Sequence, residues 1–119
     1  MVQVPYSRLT TLKDVTPDAE STHYVIYWCI AFKRTSYNYA LQRAVEWANK
    51  LSQPLIILEP LILDYPMSSI RFHKFMMDGM KEVSQAVAKS KAYYYPFIET
   101  ESKQFDGLLK ELSKKASVV

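Results

Sequence analysis

Apolar residues run unbroken from Tyr24 to Ile30 ("YVIYWCI") and again from Leu55 to Leu58. Such runs, with β-branched members, predict strands covered on both faces, as in a parallel sheet. Between them Leu41, Ala44, Val45, Ala48 and Leu51 recur at helical spacing. They predict a helix that opens near Ser36 or Asn38, either of which can cap it, and stops at Ser52-Gln53-Pro54. Pro60 is expected to keep the second strand from running much further. Phe72, Met76, Met80, Val83 and Val87 then form the stripe of a second helix, capped by Ser68 or Ser69 and reaching about Lys89. "AYYYPFI" predicts a third strand, irregular or at a sheet edge because of Pro96. Phe105, Leu108, Leu109 and Leu112 mark a third helix, and "ASVV" opens a fourth strand. Residues 1–23, polar with Pro5 and Pro17, read as an extended arm.

Strands alternating with helices predict an α/β fold, a three-layer Rossmann-like parallel sheet with right-handed crossovers. Ligands of such sheets bind beyond the carboxyl ends of the strands. Here those ends carry Cys29 to Arg34, Glu59 to Tyr65 and Phe97 to Glu101. The fourth strand begins just where the given sequence stops. The chain is therefore expected to be the first part of something longer, with residues 24–119 an α/β domain incomplete at its C-terminal side. One side of Tyr24–Ile30 should then be poorly covered, and an exposed apolar edge recruits another chain, so a homodimer is expected.

Composition narrows the chemistry. Only two glycines occur in 119 residues, and none lies in the turn after the first strand, where Lys33 and Arg34 sit instead. That argues against a phosphate-cradling loop. The net charge of +3 permits contact with nucleic acid without implying it. Lys110, Lys114 and Lys115 read as a solvated face near a helix C-terminus. Cys29 is the only cysteine, so no intrachain disulfide or thiolate cluster is expected. Its simplest reading is a small buried hydrophobe. His23 and His73 form no metal-binding spacing with each other, and nothing obvious would activate Cys29 beside His73. Glu59 and Asp64 read as solvated loop acids, Met76, Met77 and Met80 as core filler, and Tyr93-Tyr94-Tyr95 as a strand alternating between faces. No run approaches the ~18 apolar residues that cross a bilayer. A soluble, cytoplasmic protein is expected, without membrane contact.

The segments "YVIYW…R…NYALQRAVEWA", "QPLIILEPL", "YP", "RFHKFMMDGMKEV" and "YYYPFIETESKQFDGLLKEL" together resemble the photolyase and cryptochrome family. The resemblance is to its N-terminal α/β domain, closest to class II-like deoxyribodipyrimidine photolyases. It covers almost everything from Tyr24 onward, and "VPYSRL" extends it into the arm. It implies a domain that, in many members, holds a light-harvesting antenna, a deazaflavin or a folate, near the strand carboxyl ends. On this sequence that site falls on Cys29, Ile30, Ala31, Glu59 and Leu61. Arg34, Asn38, Ala40 and Leu41 match the family's R-x-x-x-N-x-A-L element. Arg71, Phe75 and Gly79 match its second-helix pattern, implying an aromatic for the core and a glycine where helix and sheet approach closely. One departure is that Cys29-Ile30-Ala31-Phe32 stand where many members carry an arginine and an aspartate.

The resemblance further implies that FAD, the DNA-lesion pocket and the electron-transfer tryptophans belong to a long C-terminal helical domain outside these residues. This stretch alone is expected to hold no FAD, to reach DNA only through that domain, and to be inactive in repair. The alternatives are a stand-alone α/β interaction module and a small nucleotide-binding protein, the latter weakened by the scarcity of glycine.

Overall fold

In a computed structural model, which describes residues 3–18, 20–31, 33–64, 66 and 69–119, the apolar runs become the inner strands of one sheet. The elements are β1 (Tyr24–Trp28), α1 (Tyr39–Leu51), β2 (Leu55–Leu61), α2 (Ile70–Val87), β3 (Tyr93–Ile98), α3 (Gln104–Ser113) and β4 (Ala116–Val118), with a 3-10 turn at Tyr6–Arg8. The four strands are all parallel in the order β3-β2-β1-β4. The strand following the third helix thus returns beside β1, as in doubly wound sheets. This is the Rossmann-like α/β arrangement expected from the alternation of strands and helices. No helix among the described residues is long and apolar enough to cross a membrane.

Side chains alternate across the strands, so each run feeds two cores. Val25, Tyr27, Cys29, Leu55 and Ile57 meet Ala44 and Ala48 of α1 and Val87 of α2 on one face. Ile26 and Leu58 meet Phe105 of α3 on the other, with Trp28, Tyr95 and Phe97 around it. The tyrosine triplet splits as its alternation predicts, Tyr94 to the first core and Tyr95 to the second.

Local signals start and stop the helices. The Asn38 side chain accepts the Leu41 N–H at 3.0 Å and caps α1. Ser52 ends that helix in a left-handed conformation, φ 53°. Ser69 caps α2 by accepting the Phe72 N–H at 3.1 Å. Ser68, the alternative cap, lies outside the described residues, as do Phe32 and Tyr65 of the two strand-end segments.

Several expectations are corrected. β1 ends at Trp28, and Ile30 projects into solvent at 66% exposure. β2 runs through Pro60 to Leu61. In a parallel ladder, successive residues turn their N–H and C=O to opposite neighbours. The Cys29 N–H bonds Leu58 O at 2.8 Å and the Glu99 N–H bonds Leu61 O at 3.0 Å. Residue 60 therefore faces β1, so Pro60 ends that pairing and leaves the ladder to β3 intact. By the same alternation Pro96 turns its missing N–H to the open side of β3, which is indeed an edge strand. On α2, Phe75 is 73% exposed and not a core aromatic. It lies about 140° around the helix from Met80, which is buried. Gly79 does not mark a close approach, because a Cβ there would meet nothing within 4 Å. Met77 is likewise 41% exposed, so of Met76, Met77 and Met80 only Met80 is fully buried.

The first residues lie against α1. Val4 is buried, its N–H bonds Glu46 Oε1 at 2.9 Å, and Arg8 stacks over Tyr39 with 4.8 Å to the ring centre. Beside β1, the pairing with β4 shifts register after Tyr24 and reaches only Val25. From Ile26 to Trp28 the β4 side of β1 has no strand partner among the described residues.

Candidate functional site

The carboxyl ends of β1 and β2 bring polar groups into the first core. Tyr27 and Cys29 point to the α1–α2 face from β1, and Glu59 does so from β2. Tyr94 joins them from β3, opposite Ile57. Glu59 is 1% exposed, so it is not the solvated loop acid its neighbouring proline suggests. It sits inside β2 because Pro60 does not break the strand. Asp64 does behave as a surface acid and accepts a hydrogen bond from the Ser102 hydroxyl.

Burial dominates the electrostatics, because a charge taken from water is costly. It pushes the Glu59 carboxyl above its ordinary range, while the Lys33 charge and Tyr94 oppose the shift. Burial, then the Glu59 charge, pushes the Cys29 thiol up, which disfavours the reactive thiolate. The Tyr27 phenol is pushed up to about 12 by burial, although its oxygen accepts a bond from Asn38 Nδ2 at 2.9 Å. Burial and Glu59 together raise the Tyr94 phenol further still. Glu59 Oε1 and the Tyr94 hydroxyl are buried without a hydrogen bond of good geometry. The two groups meet each other between β2 and β3 and are left with spare bonding capacity, the carboxylate at the end of the sheet where ligands gather.

The glycine-free turn is held by side chains. Tyr37 takes a left-handed φ of 52°. Arg34 Nη2 donates to Tyr37 O at 3.0 Å, and Asn38 Nδ2 donates to Arg34 O at 3.1 Å. Asn38 thereby couples the helix cap, the turn and Tyr27. A cavity of about 550 Å³ opens beside this turn, lined by Thr35, Tyr37, Asn38 and the first turns of α1.

The five positions singled out in the sequence divide. Cys29, Glu59 and Leu61 are buried, and Cys29 and Glu59 interact electrostatically. Ile30 and Ala31 are exposed in the loop after β1. Sequence reasoning passed over Tyr27, Tyr94 and Glu99. The signal for the tyrosines was their parity with Cys29 and Glu59 along the strands. Glu99, 2% exposed, accepts the Leu63 N–H and the Phe105 N–H, each at 2.9 Å, and so ties the loop after β2 to the start of α3. No group of three or more potential metal ligands occurs among the described residues.

The class so defined is an open parallel α/β sheet with a buried, incompletely bonded polar cluster at its carboxyl end. The chain is similar to a photolyase: over 76 residues it is 37% identical to a deoxyribodipyrimidine photo-lyase of Methanothermobacter thermautotrophicus strain Delta H. The match takes in 64% of this chain and 17% of that protein. No protein-family model matches the chain.

Proposed function

We propose that this chain is the N-terminal, antenna-type α/β region of a photolyase-like flavoprotein of the class II-like branch. The observation that carries the reading is the 37% identity to a deoxyribodipyrimidine photo-lyase over 76 residues. On this proposal a flat chromophore, a deazaflavin or a folate, lies over Cys29 to Ala31 and the segment Glu59 to Leu61. The buried Glu59–Tyr94 pair supports it, because its poor hydrogen-bond geometry leaves polar capacity that a ligand edge carrying donors and acceptors would use. The region itself carries no chemistry. Reduced FAD, bound by a helical domain beyond these residues, would supply the electron that splits a pyrimidine dimer.

The test is titration of the purified chain with a deazaflavin and with a folate, followed by ligand fluorescence. Saturable binding of one of them, weakened in Glu59→Gln, is expected. Absence of saturable binding by either overturns the antenna reading. Stoichiometric flavin that co-purifies, or light-dependent repair by this chain alone, contradicts the assignment of the chemistry elsewhere.

A second reading, self-association, is favoured by the unpaired side of Ile26–Trp28. Two copies pairing there are expected to raise the mass seen in light scattering as concentration rises. Val118→Lys is the informative variant, since an edge charge opposes pairing. Ile26→Lys is not, because Ile26 is 2% exposed and belongs to the core. A monomer mass that persists at high concentration overturns association.

A further inference from the structure

Both α1 and α2 pack on the sheet rather than on each other, and they leave a groove of about 580 Å³ between them. That is ample for a small ligand. Its floor and walls are mainly aliphatic, with Leu41, Val45 and Ala48 of α1, Leu55 and Ile57 of β2 and Val87 of α2, and Thr35 and Asn49 add polar groups. No aromatic side chain is among the residues that line it, so it offers no flat surface for stacking a ring. One end opens at the amino ends of β2 and β3, where Pro54, Ser90 and Lys91 lie. This is the end of the sheet opposite Glu59.

The polar groups at this mouth are unequally occupied. Gln53 Nε2 donates to Thr22 O at 3.0 Å, and the Ser90 hydroxyl donates to Val87 O at 2.8 Å. Lys91 is exposed, and no carboxylate among the described residues pairs with it. We propose that the α1–α2 groove binds an aliphatic carboxylate, its chain along the Leu55–Ile57 floor and its charged end on Lys91. The aliphatic lining favours a chain because removal of apolar surface from water drives binding there without directional contacts. The ammonium at the mouth favours a single negative charge at one end. The site shares no residue with the Cys29–Glu59 cluster and stands independently of the antenna reading.

Decanoate, below the concentration at which it forms micelles, and its neutral counterpart decanol are the probes, with backbone amide shifts as the readout. Decanoate is expected to give saturable shifts centred on Asn49, Ala86 and Lys91. Decanol should bind the same place roughly two- to fivefold more weakly, the range of one exposed ion pair. Lys91→Met should bring decanoate down to the affinity of decanol. Ala86→Trp fills the groove from an exposed wall position and should abolish both, with the amide spectrum otherwise retained. Equal affinities of decanoate and decanol overturn the role of Lys91. Absence of saturable shifts at these amides, shifts centred on Cys29 and Glu59, or undiminished binding by Ala86→Trp overturns the site.

Discussion

The two faces of this one sheet are built from the same strands and do different things. Under α3 the core is mainly apolar and aromatic, with the Glu99 carboxylate bonded at its edge. Phe105 packs against Trp28 and Phe97 at ring-centre distances of 5.6 and 6.2 Å, over Ile26 and Leu58. Under α1 and α2 the core is equally apolar at the amino ends of the strands, then gives way to Tyr27, Cys29, Glu59 and Tyr94. Buried polar groups cost stability unless they are well bonded, and Glu59 and Tyr94 meet each other without good hydrogen-bond geometry. The α3 face also buries polar groups, Trp28 Nε1 without a partner and Glu99 bonded to the Leu63 and Phe105 N–H groups. What sets the α1–α2 face apart is therefore the buried Glu59 carboxylate, which has no backbone N–H to bond it among the described residues.

Substitutions should separate the faces. The largest effect is expected at Phe105, the centre of the α3 core at 2% exposure. Phe105→Ala should lower the unfolding free energy by about 3–5 kcal/mol in urea titrations. A loss below about 1 kcal/mol would mean that α3 is not an essential cover. Asn38→Ala removes the α1 cap and the bond to Tyr27, and should cost about 1–2 kcal/mol.

Glu59 sharpens the comparison through pH. Burial raises its folded carboxyl above the ordinary 4.5, so between the two values the folded state holds a proton that the unfolded state has released. Its contribution is therefore fullest below pH 4.5 and declines as pH rises from there to the folded value. Glu59→Gln should flatten that decline and leave the protein at least as stable near neutrality. A variant that keeps the wild-type slope would place the titration elsewhere. The smallest effect belongs to Phe75, where replacement by Gln should change stability by no more than about 0.5 kcal/mol. A larger loss would put that ring in the core.

The strand and helix order was legible because the apolar runs and stripes are long and Asn38 and Ser69 are ordinary caps. The reading failed where one residue obeyed two rules. Pro60 breaks one ladder and not the other, which depends on the side each residue faces, and that in turn hid Glu59 inside β2. Phe75 and Gly79 fitted a family pattern, yet their place on α2 turns both from the sheet. The meeting of Glu59 and Tyr94 was not legible at all, since it depends on the register of β2 against β3. Cys29 was read correctly as buried because its apolar neighbours fix its surroundings.

The most direct test of the central claim, that the polar carboxyl end is where this α/β region meets its ligand, is an amide shift map of the chain titrated with a deazaflavin. The account predicts saturable shifts centred on Cys29 to Ala31 and Glu59 to Leu61, reduced in Glu59→Gln, with the α3 core around Phe105 unmoved. Shifts centred instead on Phe105 and Tyr95, or none at saturating ligand, would contradict it.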